Sequence, residues 1–283
     1  MNLLVAINKK YIPHLRTLLK SIELSNPKEK FTVYVLHKDL DEDDILQINY
    51  DLDKKRFRIE AIMISDSEID SFPVYEKRYP IEIYFRIYAA KYLPREVDRV
   101  IYLDTDIIVI NSLKKLYQMD FQNNLFIAAT HIRKILHIFH EVRLGLDKNE
   151  PYINSGVMLM NLKELRKVPI EEDVLGFVRK NGRKLMLPDQ DIISALYGDR
   201  IKLIDDLIYN LGEIAWRMHN IYHKDQFITL DWIRKHTIII HYYGRNKPWN
   251  QNYRGKLNCF YISVVEKMND DIKVERKKNV RIE

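Results

Sequence analysis

The chain has 283 residues, 46% of them hydrophobic and 30% charged, with a formal net charge of +6 and Cys259 as its single cysteine. That length and composition suit a globular protein with a sizeable core, and one cysteine excludes both an intrachain disulfide and a cysteine-based zinc site. The mild basicity (pI ≈ 9.0) suits an anionic substrate or an anionic membrane surface, but no basic run is interleaved with aromatics, so a nucleic-acid partner is not expected.

Leu3 to Ile7 reads as a buried strand. That run is too short for a signal peptide, and no stretch of about 18 apolar residues follows, so a cytoplasmic protein, or one peripheral to the inner face of a membrane, is expected. Tyr11 to Leu24 reads as a helix, with Leu15, Leu18, Leu19 and Ile22 at helical spacing and Pro13 tolerated in its first turn. Asn26-Pro27 closes it. Phe31 to His37 is a second strand, Asp41 starts a helix with an acidic first turn, and Arg56 to Ile64 is a third strand. Ile81 to Leu93 is predicted helical with Pro94 as its stop, and a central strand then runs from Arg99 to Asp104. Strand and helix thus alternate through the first part of the chain, the pattern of a doubly wound, mostly parallel α/β sheet. Ligands of such sheets bind outside the carboxyl ends of the strands, the edge on which Asn8 and Asp104 fall.

Further along, Phe126 to Thr130 and Val157 to Leu162 read as strands, and Ile132 to Leu144, Asp173 to Lys180 and Asp191 to Tyr197 as helices. Ile238 to His241 is a short strand ending in a histidine. Leu257 to Met268 is a terminal helix, and Lys273, Arg276, Lys277, Lys278 and Arg281 make a basic tail. The economical division is one continuous domain over 1–250 and a C-terminal helix and tail over 251–283.

The run from Arg99 to Val109 sets Asp104 and Asp106 between β-branched stretches, read as strand, charged tip, strand. Two carboxylates between buried strands are costly to leave unpaired, and a divalent cation would pair them. At i and i+2 of an extended chain they share a face about 6.6 Å apart, and a bend at Thr105 would bring both to one ion. The plainer alternative is a polar strand end feeding a turn, with Asp106 bonded to its own backbone.

Six motifs now stand in order. They are Ala6-x-Asn8-x-x-Tyr11, Tyr84-x-Arg86, Tyr102-Leu103-Asp104-Thr105-Asp106, Tyr152-x-Asn154-Ser155-Gly156-Val157, Pro188-Asp189-Gln190-Asp191 and His241-Tyr242-x-Gly244-x-x-Lys247-Pro248-Trp249. The ordered set resembles glycosyltransferase family 8, the retaining sugar-nucleotide transferases that include glycogenin and bacterial lipopolysaccharide galactosyl- and glucosyltransferases. The resemblance covers residues 1–250. It implies a GT-A fold, a single Rossmann-like domain with a mostly parallel central sheet, and transfer of glucose or galactose from a UDP-hexose to a saccharide or glycolipid hydroxyl.

The resemblance assigns residues one by one. Asp104 and Asp106 match the metal-binding pair and His241 the third ligand; carboxylates with an imidazole suit Mn²⁺, with Mg²⁺ as the alternative ion. Taken alone, His241 reads sooner as a core histidine at a strand end, and the following Gly244-x-x-Lys247-Pro248-Trp249 reverses that. Ala6 and Thr105 fall within the donor-binding motifs. Asn8 and Tyr11 match positions that hold the nucleoside, Tyr11 stacking on uracil. Arg86 matches an arginine that reaches the donor sugar and the acids; taken alone it is a surface helix arginine. Asn154, Ser155 and Gly156 match the turn lining the sugar pocket. Asp189 and Gln190 match the sugar-binding acid and the residue beneath the anomeric carbon, although Asp189 reads equally well as a helix N-cap. Gly244 lets backbone approach the diphosphate and Lys247 meets it. His131 sits where some relatives place an acid near the acceptor, though an exposed loop histidine is the simpler reading. The chain departs from the family at Asn8, usually Asp, and at Lys9-Lys10, usually Asp-Glu or Asp-Asn.

Gln190 carries an amide, a poor nucleophile, so same-face attack guided by the departing diphosphate is favoured over a covalent intermediate on Asp189 or Asp191. Two rivals remain. A sugar-nucleotide-binding protein without turnover would accommodate the departures at Asn8 to Lys10. A haloacid-dehalogenase-type phosphatase would carry its acid pair at the end of the first strand, which is not where Asp104 lies. The basic tail is a candidate for contact with an anionic membrane carrying lipid-linked acceptors, with a solvated end as the alternative.

Overall fold

The computed structural model describes residues 1–72, 80–130, 142–146 and 150–279. His131 and most of the predicted helix Ile132–Leu144 lie outside the described residues; residues 142–144 are helical.

Strands β1 (Asn2–Ala6), β2 (Phe31–His37), β3 (Phe57–Met63) and β4 (Arg99–Leu103) come from the first part of the chain. With β6 (Phe126–Ala128), β7 (Val157–Asn161) and β8 (Ile201–Leu203) they form a seven-stranded sheet in the order β3-β2-β1-β4-β7-β6-β8. Every pairing is parallel except those of β7, which runs against both β4 and β6. The strand order reverses at β1, which lies between β2 and β4, so the crevice at the carboxyl ends of β1 and β4 is the switch point where open α/β sheets bind ligands.

Period-two alternation assigns the core. Leu3, Val5, Val33, Val35, Ile101 and Leu103 pack on one face with Leu15, Leu18, Leu19 and Ile22 of the helix Ile12–Ser25. Leu4, Leu36, Val100 and Tyr102 point to the other face, against Tyr84, Phe85, Tyr88 and the helix Pro188–Tyr197. Pro13 sits in the first turn of the first helix, as the sequence predicts, behind a short 3₁₀ turn (Lys9–Tyr11) that Asn8 caps by accepting from Lys10 N at 3.2 Å. Asp41 caps its helix through a reciprocal box with Asp44.

Two expectations are corrected, and one strand takes a place that the sequence leaves open. Ile81–Leu93 is not one helix but two short ones, Glu82–Phe85 and Ala89–Tyr92. Aromatic and β-branched residues dominate the break and lose rotamer freedom in an α-helix. Tyr84, Phe85, Ile87 and Tyr88 are all buried, and tighter i→i+3 bonds such as Ile87 N to Tyr84 O take over. Strand β5 (Ile107–Val109) does not continue into the main sheet; it pairs antiparallel with β9 (Ile239–His241). The last helix does not end at Met268 but runs from Asn258 to Asn279, taking in the start of the basic tail. Its residues Phe260 and Val264 share a core cluster with Ile108 and Ile240, and Asp271 pairs with the buried Lys20 at 2.8 Å. Among the described residues no helix is long and apolar enough to cross a membrane.

Candidate active site

Asp104 follows the last residue of β4, and Asp106 precedes the first of β5. Backbone bonds fix both: Asp104 N donates to Gly156 O at 2.8 Å, and Tyr242 N to Asp106 O at 2.9 Å. Because β5 leaves the main sheet to pair with β9, the register sets Ile107 opposite His241 and brings the imidazole to the acids. His241 Nε2 lies 3.1 Å from Asp106 Oδ1 and 4.0 Å from Asp104 Oδ2. One ligand atom from each of the three residues falls within 4.8 Å of the others. Gly156 is required by this approach, since a side chain there would meet the His241 ring and the Asp104 carboxylate.

Asn210 orients the histidine. It is fully buried, and its Oδ1 lies 2.9 Å from His241 Nδ1, while its Nδ2 donates to Asn154 Oδ1 at 3.1 Å. An amide oxygen only accepts, so Nδ1 carries the proton and Nε2 turns a lone pair toward the acids. Unless the ring takes a second proton, Nε2 and Asp106 Oδ1 face one another with no hydrogen between them, and a cation resolves that. The donor set therefore fits a divalent metal. Burial opposes ionisation of Asp106; in the metal-free site a doubly protonated His241 ring and then Lys247 outweigh it and hold the carboxyl well below the usual range. Lys247 Nζ binds Asp106 Oδ2 directly and also donates to Tyr242 O at 3.0 Å.

Arg86 is no surface arginine; it is 6% exposed. Its guanidinium reaches Asp104 Oδ1 at 2.9 Å, Asp189 Oδ2 at 3.1 Å and Ser155 O at 3.2 Å, and lies 4.3 Å from the centre of the Tyr102 ring. Tyr102 in turn donates to Asp104 Oδ1 at 2.7 Å. Burial disfavours the charge on Arg86, but Asp104 and Asp189 outweigh it and raise its pKa. Burial pushes the Asp189 carboxyl up, against the pull of Arg86 and of Ser155 Oγ, which donates to it at 2.8 Å.

The helix Pro188–Tyr197 begins with proline at N1, so Asp189 stands inside its first turn rather than as the N-cap. Gln190 Oε1 faces Ser155 N at 3.4 Å. Asp191 is fully buried and committed elsewhere. Arg143 binds both its oxygens at 2.7 and 2.8 Å, Tyr152 donates at 2.6 Å, and the backbone N–H groups of Met186 and Leu187 donate at 2.7 and 3.1 Å.

Toward the other end, Tyr11 is 38% exposed and meets the edge of His14, which stacks on Trp249 at 3.7 Å. Lys9 points away from the cleft, pairing with Asp41 and Asp44 at 2.6 and 2.8 Å. Gly244 has φ +86° with open space around it, so the backbone conformation is what demands glycine there.

A single cleft of about 560 Å³ collects these groups. Ala6, Asn8, Tyr11, Arg86, Asp104, Thr105, Asp106, Asn154, Ser155, Gly156, Asp189, Gln190, His241, Gly244 and Lys247 all line it. Sequence reasoning missed Asn210 and the Tyr102 hydroxyl as supports. Nothing local marks Asn210; Tyr102 alternates onto the face opposite Leu103, which is a usable hint. It also missed Glu82, a buried acid on the cleft wall.

A sequence model described as "Glycosyl transferase family 8" matches residues 2–253. The lipopolysaccharide 1,2-glucosyltransferase of Escherichia coli is 27% identical over 237 residues, covering 82% of this chain and 68% of that protein. The lipopolysaccharide 1,3-galactosyltransferase of Salmonella typhimurium is 23% identical over 256 residues, 88% of this chain and 73% of that one. Among solved structures, the galactosyltransferase LgtC in complex with donor and acceptor sugar analogues matches with a TM-score of 0.80 at 23% identity, over 94% of this chain and 96% of that chain, and so shares its fold.

Proposed function

The chain belongs to glycosyl transferase family 8, and from that premise we propose that it moves glucose or galactose from a UDP-hexose to a hydroxyl of a saccharide or glycolipid, with the anomeric configuration retained. The observation that carries this reading is the convergence of Asp104, Asp106 and His241, one ligand atom each within 4.8 Å, at the switch point of the sheet. These three residues would hold Mn²⁺, with Mg²⁺ as the alternative. Once bound, the cation supplies Lewis-acid stabilisation of the charge that builds on the departing diphosphate.

The chain's own residues supply the rest. Lys247, already beside Asp106, adds fixed positive charge in a partly buried site, where it counts for more than in solution. Tyr11 and Asn8, at the end of the cleft that holds the His14–Trp249 stack, take the nucleoside. Arg86 holds Asp104 and Asp189 in register, with Asp189 and the Asn154-Ser155-Gly156 turn around the hexose. Gln190 stands beneath the anomeric carbon and shapes the cationic transition state without attacking it. Asp191, locked by Arg143 and Tyr152, is spoken for as a structural anion. Asp189 is held by Arg86 and Ser155. Both facts support same-face attack by the acceptor over a covalent intermediate. The lipopolysaccharide glucosyl- and galactosyltransferase relatives support a lipopolysaccharide-type glycolipid as acceptor. Such an acceptor lies at a membrane, and the basic end of the last helix is the segment we assign to that contact.

The test is release of UDP from a panel of UDP-sugars, with Mn²⁺ and with EDTA, each without acceptor and with lipopolysaccharide core oligosaccharides. The reading expects metal-dependent release from one hexose donor, accelerated by an acceptor. It is overturned if no donor releases UDP under any of these conditions.

A further inference from the structure

We propose that Glu82 is a binding residue for a sugar hydroxyl and helps decide which carbohydrate the cleft admits; the proposal rests on the transferase reading above. Glu82 opens the short helix Glu82–Phe85, is 4% exposed and lines the cleft. Its Oε1 is buried with no hydrogen-bond partner among the described residues. Other buried acids of the cleft are paired: Asp106 with His241 and Lys247, and Asp189 with Arg86 and Ser155. A buried carboxylate oxygen without a donor is costly, and on a cavity wall the missing donor can arrive from outside the chain.

The neighbouring chemistry narrows the donor. Arg86, the residue that follows the helix Glu82–Phe85, also lines the cleft, and its Nε is buried without a partner among the described residues. The cleft wall therefore offers an acceptor at Glu82 and a donor at Arg86. A hydroxyl suits such a wall, since it can donate to the carboxylate and can accept from the guanidinium. An ammonium accepts nothing, and a methyl or deoxy position does neither. The hydroxyl belongs to the donor hexose or to the acceptor saccharide, which supply the same chemistry, and the experiment separates them.

The variants are Glu82→Gln and Glu82→Ala in the full chain, compared with wild type in three measurements with Mn²⁺: affinity for UDP, affinity for the active UDP-hexose, and steady-state transfer to acceptor. UDP affinity is expected to stay unchanged. If the hydroxyl is the donor's, affinity for UDP-hexose falls roughly 10- to 100-fold, the value of a hydrogen bond to a charged group. If it is the acceptor's, donor binding holds and kcat/KM for the acceptor falls by that factor. The matching deoxy sugar should cost wild type the same factor and the variants little, the signature of a shared contact. The melting temperature of the ligand-free variants should hold or rise, because a buried carboxylate oxygen without a donor has gone. A structural glutamate would instead lower it. Variants that bind and turn over like wild type refute the role of Glu82, as do variants that lose UDP and UDP-hexose affinity equally or melt lower. A wild type that binds no UDP-hexose with metal refutes the transferase reading itself, and this proposal with it.

Discussion

Replacing Arg86 with methionine keeps the length and apolar stem of the side chain and removes the guanidinium that Asp104 and Asp189 share at 2.9 and 3.1 Å. Removing one partner of a buried ion pair costs about 3–5 kcal/mol, because the other charge stays buried. Asp189 would keep Ser155 Oγ and the backbone N–H of Gln190, neither of them a charge. At about 2–4 °C per kcal/mol for a domain of comparable size, the ligand-free melting temperature should fall by roughly 6–20 °C near neutral pH. The deficit should also depend on pH. Burial already raises the Asp189 carboxyl, and Arg86 is the largest influence opposing it. Without Arg86 the native pKa moves further above the unfolded one. The native state then binds a proton more readily than the unfolded chain, so the penalty is full above the native pKa and gone below the unfolded value. Thermal melts of both proteins in EDTA should therefore converge as the pH is lowered from about 8 toward about 5. A variant that melts with wild type near neutral pH, or whose deficit widens in acid, refutes the argument.

Lys247→Ala should lower kcat by at least about tenfold while metal-dependent UDP binding persists, as expected for a charge that acts on the leaving group; unchanged turnover makes Lys247 a bystander. Asn210→Ala should weaken Mn²⁺ affinity about 10- to 100-fold by releasing His241 from its tautomer, read by metal titration of UDP binding. Asp106→Asn should abolish metal-dependent UDP binding with an unchanged circular dichroism spectrum; normal turnover with added Mn²⁺ would remove Asp106 from the ligand set. Asp191→Asn should destabilise the fold, because Arg143 and Tyr152 lose their anion, yet leave transfer in the folded fraction. Trapping a glycosylated Asp191 in an acceptor-starved reaction would reverse that assignment.

The sequence by itself determined the frame. Period-two apolar runs, helical leucine spacing, Pro13, the Asp41 cap and Asn26-Pro27 act over a few residues, so strands β1 to β4 and the helices that follow β1 and β2 are legible before any contact is known. The same holds for the Asp104-Thr105-Asp106 tip, whose cost when buried is a local fact. Motif order then carried the remaining cleft residues, each of which lines the cavity. Tertiary structure decided what depends on partners distant in sequence. His241 meets Asp106 across 135 residues only because β5 leaves the main sheet for β9. Asn210 gains its role from a histidine 31 residues on. Asp191, indistinguishable in sequence from its neighbour Asp189, becomes a buried structural anion because Arg143 and Tyr152 arrive to pair it. The break at Arg86 likewise follows from packing of Tyr84, Phe85 and Tyr88, which outweighs helix propensity. Local chemistry sets which residues can act; the long-range pairing of charges in a buried space sets which of them do.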